Sequence, residues 1–392
     1  MCRSEERHLA GQEIFMEVIM KKFAGALILL IVGALLSCPK PTGSTSPSKV
    51  WVVSTLAGSG NRDHADGPAT AARFALPAGV AVDAAGNVYV ADTHNHRIRK
   101  IALAEGESDR VVSTIAGGST SGSADGAGTS ARFYYPTDVA LDSSGNLYVA
   151  DQYNHRIRKI TLTNGQVDTI AGSGTTGFEK GGHREGFAKA VARFNYPTGL
   201  ALDAAGNIYV ADNGNNRIRK IALAEGEQDR VVSTIAGSTQ GSDDGAGTAA
   251  KFWSPTGVAV DSSGNIYVAD SNNERIRKIT SEGVSTLAGG LRGSDDGVGA
   301  AAKFFVPHGV AVDAEGNVYV GDSSNNLIRK ITAAGRVSTI AGGGSTASGD
   351  TDGPGRSARF TSPYGVALDA EGNLYVADRS NSLIRKMEYK LP

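Results

Sequence analysis

This 392-residue chain contains only two cysteines, Cys2 and Cys38, and both precede residue 50. The remaining sequence therefore offers no disulfide and no thiolate ligand for a metal. The chain also lacks a charge excess, since 39 basic residues stand against 40 acidic ones. A nucleic-acid partner normally requires a clustered basic excess, so the composition argues against one.

Long apolar runs are also missing, with one exception near the N-terminus. Phe23–Leu36 is an uncharged run of 14 residues that follows Lys21 and Lys22. It is shorter than the ~20 residues of a membrane-spanning helix, but it has the size of a signal-peptide core. Residues 1–19 fit no signal-peptide pattern, which suggests that translation begins at Met20. We therefore predict a signal-peptide region over residues 1–37.

The apolar run ends in Leu35-Leu36-Ser37-Cys38. This segment resembles the lipobox of bacterial lipoprotein signals, in which the cysteine carries a lipid and becomes the first mature residue. The resemblance implies lipidation of Cys38, and Pro39 in place of aspartate implies sorting to the outer membrane. The alternative is an ordinary signal or anchor helix with a chance cysteine. Residues 38–50, rich in proline, serine and threonine, are predicted to form a flexible tether.

Glycine is abundant, at 51 residues, and much of it belongs to a repeat. The segment GNVYVADTHNHRIRK begins at Gly86, and near copies begin at residues 145, 206, 264, 316 and 372. In the first copy, β-branched and aromatic residues predict four strands, a to d: Gly79–Asp83, Val88–Asp92, Arg97–Ile101 and Val111–Ala116. Four strands with a period of 52–61 residues are typical of a propeller blade.

The order of the copies predicts how a ring closes. The first element, Val52–Ala57, is a d-type strand with no a, b or c strand before it, and the last copy ends in its c strand, Leu383–Met387. Six complete blades result only if the N-terminal strand joins the last blade, which also removes two open sheet edges. The predicted fold is therefore all-β: a six-bladed β-propeller of four-stranded antiparallel blades over residues 51–392, closed by its N-terminal strand.

The pattern GxxVDxxGNxYVADxxNxRIRKI, followed by VxTxAG, resembles the NHL-repeat family of six-bladed propellers across residues 51–392. The segment AGxx…DGxxxxARFxxPxGVAVD is also similar to the NHL domains of teneurins and their bacterial relatives. The resemblance implies the propeller fold, but one fold hosts unrelated activities. Within this group some members bind RNA, some bind proteins and the teneurin domains act in recognition, while related six-bladed propellers are lyases or lactonases.

Residues that recur in every copy are expected to be structural, because a catalytic centre needs one constellation rather than six. The aspartate that ends strand b is predicted to stabilise the turn after it. We also predict a regular pairing, between blades, of the RIRK arginines with Asp83-type and Asp92-type carboxylates, since an unpaired buried charge is costly. The six turn aspartates are Asp92, Asp151, Asp212, Asp270, Asp322 and Asp378.

Metal binding is considered at two places. Five of the six loops between strands d and a contain Asp-Gly. Calcium takes six or more oxygen ligands, so one aspartate per loop is too few unless neighbouring loops contribute. Turn formation is the favoured interpretation, Ca²⁺ is the alternative, and no other cofactor is predicted. His94, His96 and His155 could bind zinc in principle, but they follow the repeat pattern and are interpreted as polar surface residues.

The start of strand a, Pro-x-Gly, is predicted to line the central channel on the top face, which carries the d–a and b–c loops. Asp138 replaces one of the glycines and is expected to lie across the channel from His308, with Tyr364 beside His308. Asp138, His308 and Tyr364 are the candidates for acid–base catalysis. A polar, water-filled channel is the simpler interpretation. The candidate binding residues at the variable position are Thr137, Thr198, Thr256, His308 and Tyr364.

We therefore expect a non-enzymatic binding scaffold of the bacterial cell envelope. It would be exported, anchored by lipid to the outer membrane, and would present its top-face loops to a protein, peptide or glycan. Contact with the membrane would occur through the lipid anchor only, and no nucleic acid would be bound. The alternative is a lyase or lactonase-type enzyme that uses the channel rim, and a third possibility is a purely structural envelope protein.

Overall fold

The computed structural model describes residues 49–103, 109–172, 181–223, 229–343 and 348–391. The predicted signal-peptide region, the lipidation site Cys38 and the tether up to Ser48 lie outside the described residues. Within these ranges, helices occur only as single 3-10 turns, and none is long and apolar enough to cross a membrane.

Six antiparallel sheets, one for each repeat, make up the described fold. Blades are numbered 1 to 6 in the order of the repeats, and strands in the order of the chain. The strands are β1 (Val50–Ala57); in blade 1 β2 (Gly67–Pro68), β3 (Val80–Val82), β4 (Val88–Asp92), β5 (Arg97–Leu103) and β6 (Arg110–Gly117); in blade 2 β7 (Gly126–Ala127), β8 (Pro136–Leu141), β9 (Asn146–Asp151), β10 (Arg156–Thr161) and β11 (Gln166–Ala171); in blade 3 β12 (Gly186–Phe187), β13 (Pro197–Leu202), β14 (Ile208–Asp212), β15 (Arg217–Leu223) and β16 (Arg230–Ala236); in blade 4 β17 (Pro255–Val260), β18 (Ile266–Asp270), β19 (Arg275–Thr280) and β20 (Gly283–Gly289); in blade 5 β21 (Gly297–Val298), β22 (Pro307–Val312), β23 (Val318–Asp322), β24 (Leu327–Ile331) and β25 (Arg336–Ala341); and in blade 6 β26 (Gly353–Pro354), β27 (Pro363–Leu368), β28 (Leu374–Asp378) and β29 (Leu383–Lys390).

The N-terminal strand completes the last blade. In blade 6 the strand order is β26-β1-β29-β28-β27, so β1 takes the place that strand d holds in the other blades. Its register runs from Val50 opposite Lys390 to Ala57 opposite Ile384. Blade 6 is joined to blade 1 at the axis, where the Gly365 N–H donates to the Ala78 carbonyl oxygen at 2.9 Å. The six-bladed fold and its predicted closure are therefore confirmed.

A short outer strand, which the sequence did not predict, flanks strand d in five of the sheets. In blade 1 it is β2, which pairs with Val111 and Val112 of β6. In blade 4 a single bridge between Gly245 and Val284 takes its place. The d–a loop therefore covers part of the outer edge of each blade, where unpaired backbone groups would otherwise be exposed.

Both faces of each blade are buried, which explains why the apolar pattern of strand b does not alternate with polar residues. Val88 and Val90 pack in a core shared with blade 6, whereas Tyr89 and Ala91 pack in a core shared with blade 2. Strand c also carries a bulge, because its register with strand d shifts after Ile98. Burial on both faces and the bulge together account for the irregular apolar pattern of strands b and c.

The inner strands pack closely around the axis because glycine follows the Pro-x pair. A Cβ atom added to Gly199 would lie 2.1 Å from the Thr256 carbonyl oxygen, and one added to Gly257 would lie 2.2 Å from that of His308. These positions need a residue without a side chain, because the backbone of the next blade occupies the space. The repeated glycine thus sets how tightly the ring closes.

Candidate functional site

A buried ionic cluster fixes the two top-face loops of each blade to each other. In blade 1 the fully buried Arg99 donates to Asp92 at 2.7 Å and to Asp66 of the d–a loop at 2.6 Å. Its guanidinium also lies over the Phe74 ring, 5.0 Å from the centroid. Because the desolvated guanidinium has two carboxylates and a π face, its charge is balanced locally. The corresponding arginines are Arg158, Arg219, Arg277, Arg329 and Arg385. Arg219 is the exception, because it pairs with Asp212 alone and contacts the d–a loop through the Arg184 carbonyl oxygen at 3.0 Å.

This geometry corrects the predicted Arg–Asp pairing in two ways. All the partners of Arg99 come from its own repeat, so the pairs lie within blades rather than between them. Asp83 does not join the cluster; it accepts hydrogen bonds from the Asn87 side chain and, at 3.1 Å, from the Tyr89 hydroxyl. Burial, with the nearby Asp83 charge, raises the pKa of Tyr89 to about 12.

Each turn aspartate stabilises a second loop as well as its own turn. Asp92 accepts from the Ala75 N–H at 2.8 Å, 17 residues earlier, and from the Asn95 amide at 2.8 Å. The same carboxylate therefore joins the b–c turn to the loop that leads into strand a. Asp151, Asp212, Asp270, Asp322 and Asp378 make the equivalent bonds.

The residue before each repeated proline has a left-handed backbone, with φ between 48° and 53°. For a bulky residue such a conformation stores about 1–3 kcal/mol and persists only where surrounding contacts enforce it. Here the previous blade supplies such a contact: the Tyr135 N–H donates to Nδ1 of His96 at 3.3 Å, and the Tyr196 N–H donates to Nδ1 of His155 at 3.1 Å. In later blades the equivalent N–H groups donate to side-chain oxygens of Asn216, Glu274 and Asn326.

This link revises the interpretation of two histidines as polar surface residues. His155 is only 5% exposed, and His96 is half-buried. Burial, together with the charge of Arg97, lowers the pKa of His96. Its ring therefore stays neutral at physiological pH and keeps Nδ1 as an acceptor. Both side chains connect neighbouring blades.

Four tyrosines form an aromatic cluster on the top face of blades 2 and 3, and the sequence interpretation missed them. The ring centroids of Tyr135 and Tyr153 are 5.0 Å apart, and those of Tyr153 and Tyr196 are 5.1 Å apart. Tyr134 lies 5.3 Å from both Tyr135 and Tyr153. We call these four residues the tyrosine cluster. They occupy positions that differ from copy to copy between constant neighbours, and that variation is the signal that would have found them.

A cavity of about 230 Å³ opens between the tyrosine cluster and the axis. Blades 1, 2 and 6 line it with side chains from their b–c turns and from the loops before strand a. We call it the top-face cavity. The side chains that give it its chemical character are His94, Tyr135, Gln152, Tyr153, Tyr364 and Arg379.

The predicted rim residues do meet at the axis, around a second cavity of only about 30 Å³. That volume holds about one water molecule. The threonine hydroxyls here donate to backbone carbonyl oxygens of the next blade, at 3.1 Å from Thr137 to Thr198 and at 3.1 Å from Thr198 to Thr256. Thr256 donates in the same way to His308 at 3.2 Å. These threonines therefore link successive blades, while Tyr364 and Thr137 line both cavities.

The three catalytic candidates lie at this axis in unusual protonation environments. The His308 and Tyr364 rings stack with centroids 3.7 Å apart. Burial, with a smaller contribution from the charge of Arg379, lowers the pKa of His308 to about 3. Burial raises the pKa of Asp138 to about 7, although its carboxyl accepts from the Leu200 and Val139 N–H groups at 2.8 and 2.9 Å.

These values limit acid–base chemistry at the axis. A general base works best when its pKa lies near the operating pH, so His308 is a weak base at neutral pH, whereas Asp138 is matched. Burial also raises the pKa of Tyr364. Among the described residues, no three histidine, cysteine or carboxylate side chains come together as metal ligands would.

The repeats themselves identify the class. The fold is a six-bladed propeller, and six of its segments match the family model described as NHL repeat: residues 74–101, 133–160, 194–221, 252–279, 306–331 and 360–387. The chain therefore belongs to the NHL-repeat proteins, as the repeated motif indicated.

Curated relatives share this repeat region. The chain is 33% identical over 285 residues to Protein SUPPRESSOR OF QUENCHING 1, chloroplastic, of Arabidopsis thaliana, a match covering 67% of this chain and 26% of that protein. It is 30% identical to human NHL repeat-containing protein 2, covering 80% of this chain and 46% of the relative. Mouse Teneurin-3 is 27% identical over 67% of this chain and 11% of its own length. The chain thus spans less than half of each of these relatives.

Solved structures share the fold at lower identity. A structure described as an auxiliary nutrient binding protein from Bacteroides thetaiotaomicron superposes with a TM-score of 0.64 at 21% identity, covering 88% of this chain and 77% of that one. A streptogramin B lyase gives a TM-score of 0.51 at 13% identity, covering 86% and 97%. A gluconolactonase from Xanthomonas campestris gives 0.52 at 14% identity, covering 90% and 99%.

Proposed function

We propose that this protein is a binding scaffold of the bacterial cell envelope, exported and anchored to the outer membrane by a lipid on Cys38. Its ligand, a protein, peptide or glycan, binds at the top face, and the protein catalyses no reaction on it. The similarity to a structure described as an auxiliary nutrient binding protein supports a binding role.

The observation that carries this proposal is the uneven use of the variable positions. The buried Arg–Asp pair recurs in every blade, but the tyrosine cluster occurs on blades 2 and 3 alone within the described residues. Clustered tyrosines supply large, rigid contact area together with a polar group, and they are enriched where proteins bind ligands. The top-face cavity beside them is the concave part of this surface.

The binding proposal is tested with the purified protein on peptide and glycan arrays, followed by the double variant Tyr135→Ala/Tyr153→Ala. Loss of two aromatic anchors should weaken binding by at least ~30-fold. The matched control is Tyr389→Ala, which removes an exposed tyrosine on β29. Binding that survives the double variant, or that falls equally in the control, would contradict a site at the tyrosine cluster.

The anchoring proposal has a separate test in bacterial cells. Cells that express the chain are labelled with a radioactive or clickable palmitate, and wild type is compared with Cys38→Ser. We expect label and membrane fractionation in the wild type and neither in the variant. Equal labelling of both proteins would refute lipidation at this position.

The alternative function is that of a lyase or lactonase at the axis. Two solved enzymes share the fold, and Asp138, His308 and Tyr364 meet around one small cavity. Ring opening of simple sugar lactones by hydrolysis and of cyclic depsipeptides by elimination is compared between wild type, Asp138→Ala and His308→Ala. Turnover by the wild type that both folded variants lose would favour the enzyme over the scaffold.

A further inference from the structure

Arg379 breaks the pattern of its repeat position. It directly follows the turn aspartate of blade 6, where the other five blades place small or neutral polar residues. Those residues are Thr93, Gln152, Asn213, Ser271 and Ser323. The substitution puts a cation, which an arginine retains throughout the physiological pH range, beside the top-face cavity.

Arg379 also differs from the frame arginines in its contacts. Arg385, in the same blade, donates to two carboxylates. Arg379 has no carboxylate within ion-pair distance in the part of the chain that the structure describes, and none of its three guanidinium nitrogens has a hydrogen-bond partner there; its Nε is buried. The guanidinium lies 5.1 Å from the centre of the Tyr364 ring.

The neighbouring groups respond to this unbalanced charge. Burial lowers the pKa of His94 and of His308, and the positive charge of Arg379 is the next cause in both cases. For Tyr364 the same charge partly offsets the increase in pKa that burial causes. A half-buried guanidinium whose donors are unused has a strong tendency to bind an anion, and its planar fork fits a carboxylate in a bidentate manner.

The rest of the cavity indicates what the anion is attached to. Tyr135, Tyr153 and Tyr364 offer ring surfaces, and the Gln152 amide offers a donor and an acceptor. The volume of about 230 Å³ is below the ~300 Å³ typical of sites for drug-sized ligands. It suits a single six-membered ring with one charged substituent.

We propose that the top-face cavity binds a small ring compound that carries a carboxylate, as an acidic monosaccharide or the acidic end of a glycan does, with Arg379 holding the carboxylate and the tyrosines contacting the ring. This inference rests on the proposed binding function and specifies its ligand. The carboxylate takes the position of the ion-pair partner that Arg379 lacks in the described chain.

The test is isothermal titration of the full chain with D-glucuronate, D-glucose, benzoate and acetate. Glucuronate should bind more tightly than glucose, which has the same ring without the charge, and than acetate, which has the charge without a ring. Benzoate distinguishes a flat aromatic ring from a sugar ring as the preferred carrier. Arg379→Gln should weaken binding of the preferred carboxylate about 10- to 100-fold and leave binding of glucose unchanged.

The matched control is Arg292→Gln. Arg292 is an exposed arginine whose guanidinium also stacks on an aromatic ring, 3.6 Å from the centre of the Phe305 ring in blade 5. Its replacement should leave binding intact. The inference is overturned if neither ring carboxylate binds at millimolar concentration, if glucose binds as tightly, or if Arg379→Gln has no effect. A neutral array ligand that depends on Tyr135 and Tyr153 would then preserve the proposed function while refuting this ligand class.

Discussion

Asp138 makes the stability of the ring depend on pH, and this dependence can be calculated. The folded protein raises the pKa of this carboxyl from 3.8 to about 7, because desolvation outweighs the two N–H groups that it accepts from. The folded state therefore binds the proton more tightly than the unfolded state. Its contribution to stability is complete below pH 4 and is lost as the pH rises through 7.

The expected magnitude follows from the two pKa values. Between pH 5 and pH 8 the wild type should lose up to about 2 to 3 kcal/mol of unfolding free energy through this group alone. The figure is an upper limit, because Asp138 keeps some contact with solvent at the axis. Asp138→Gly, which restores the residue that the other five blades have, should remove this pH dependence.

The assay is equilibrium urea denaturation of wild type and Asp138→Gly at several pH values from 5 to 8. The quantity to compare is how the difference in unfolding free energy between wild type and Asp138→Gly changes with pH. The difference itself is less informative, because the substitution also alters packing at every pH. As a control, Asp142→Asn should show no such slope. Burial would raise the pKa of Asp142, but the hydrogen bonds from Asn146, Tyr148 and Ser144 together outweigh it and lower the pKa, so the effect of this carboxyl appears only at lower pH. A wild-type–glycine difference that is constant from pH 5 to 8 would refute the reasoning.

Two further predictions concern the frame. Deleting Val50–Ala57 removes strand d of blade 6 and should lower the thermal midpoint by about 10 °C or more; an unchanged midpoint in a calorimetric scan would refute the closure as a source of stability. Arg158→Met leaves Asp151 buried beside an apolar chain and should cost about 3–5 kcal/mol in urea denaturation, whereas Arg158→Met/Asp151→Asn should recover part of it. No recovery in the double variant would mean that the ion pair is not the cause.

Much of the fold was predictable because it depends on the period of the sequence. Repeated β-branched runs gave the four strands of each blade, and the order of the copies gave the closure by β1. The short strand β2 was not predictable, since Gly67 and Pro68 are residues that strands disfavour. It forms only because the d–a loop passes beside the outer edge of its blade.

Contacts between distant residues account for what the sequence interpretation missed. Tyr135 precedes a proline, a position that favours an extended backbone, but its backbone is left-handed and its N–H donates to the His96 ring of the previous blade. Arg99 was assigned partners in another blade, yet Asp66 reaches it from 33 residues earlier in the same repeat. Such pairings follow from the folded ring and leave no local signal.

The location of the rim residues could be predicted from the sequence, whereas their role stays a prediction. The Pro-x-Gly positions did lead to the axis, because their place at the start of strand a fixes their location. The tyrosine cluster and Arg379 were missed because they lie outside the Pro-x-Gly motif, and their proximity follows only from the folded ring. Ligand contacts on a repeated frame are better sought where one copy departs from the others, as Arg379 does.

The pairing of β1 with β29 has a consequence for how the chain is made. The ribosome releases Val50 early, but its partner Lys390 emerges only after every intervening blade has been synthesised. Until then the nascent protein has an unpaired strand, β1, near its N-terminal end, and the last sheet is incomplete. Contacts of such long sequence separation form slowly, so the ring can close only after the last blade has been synthesised.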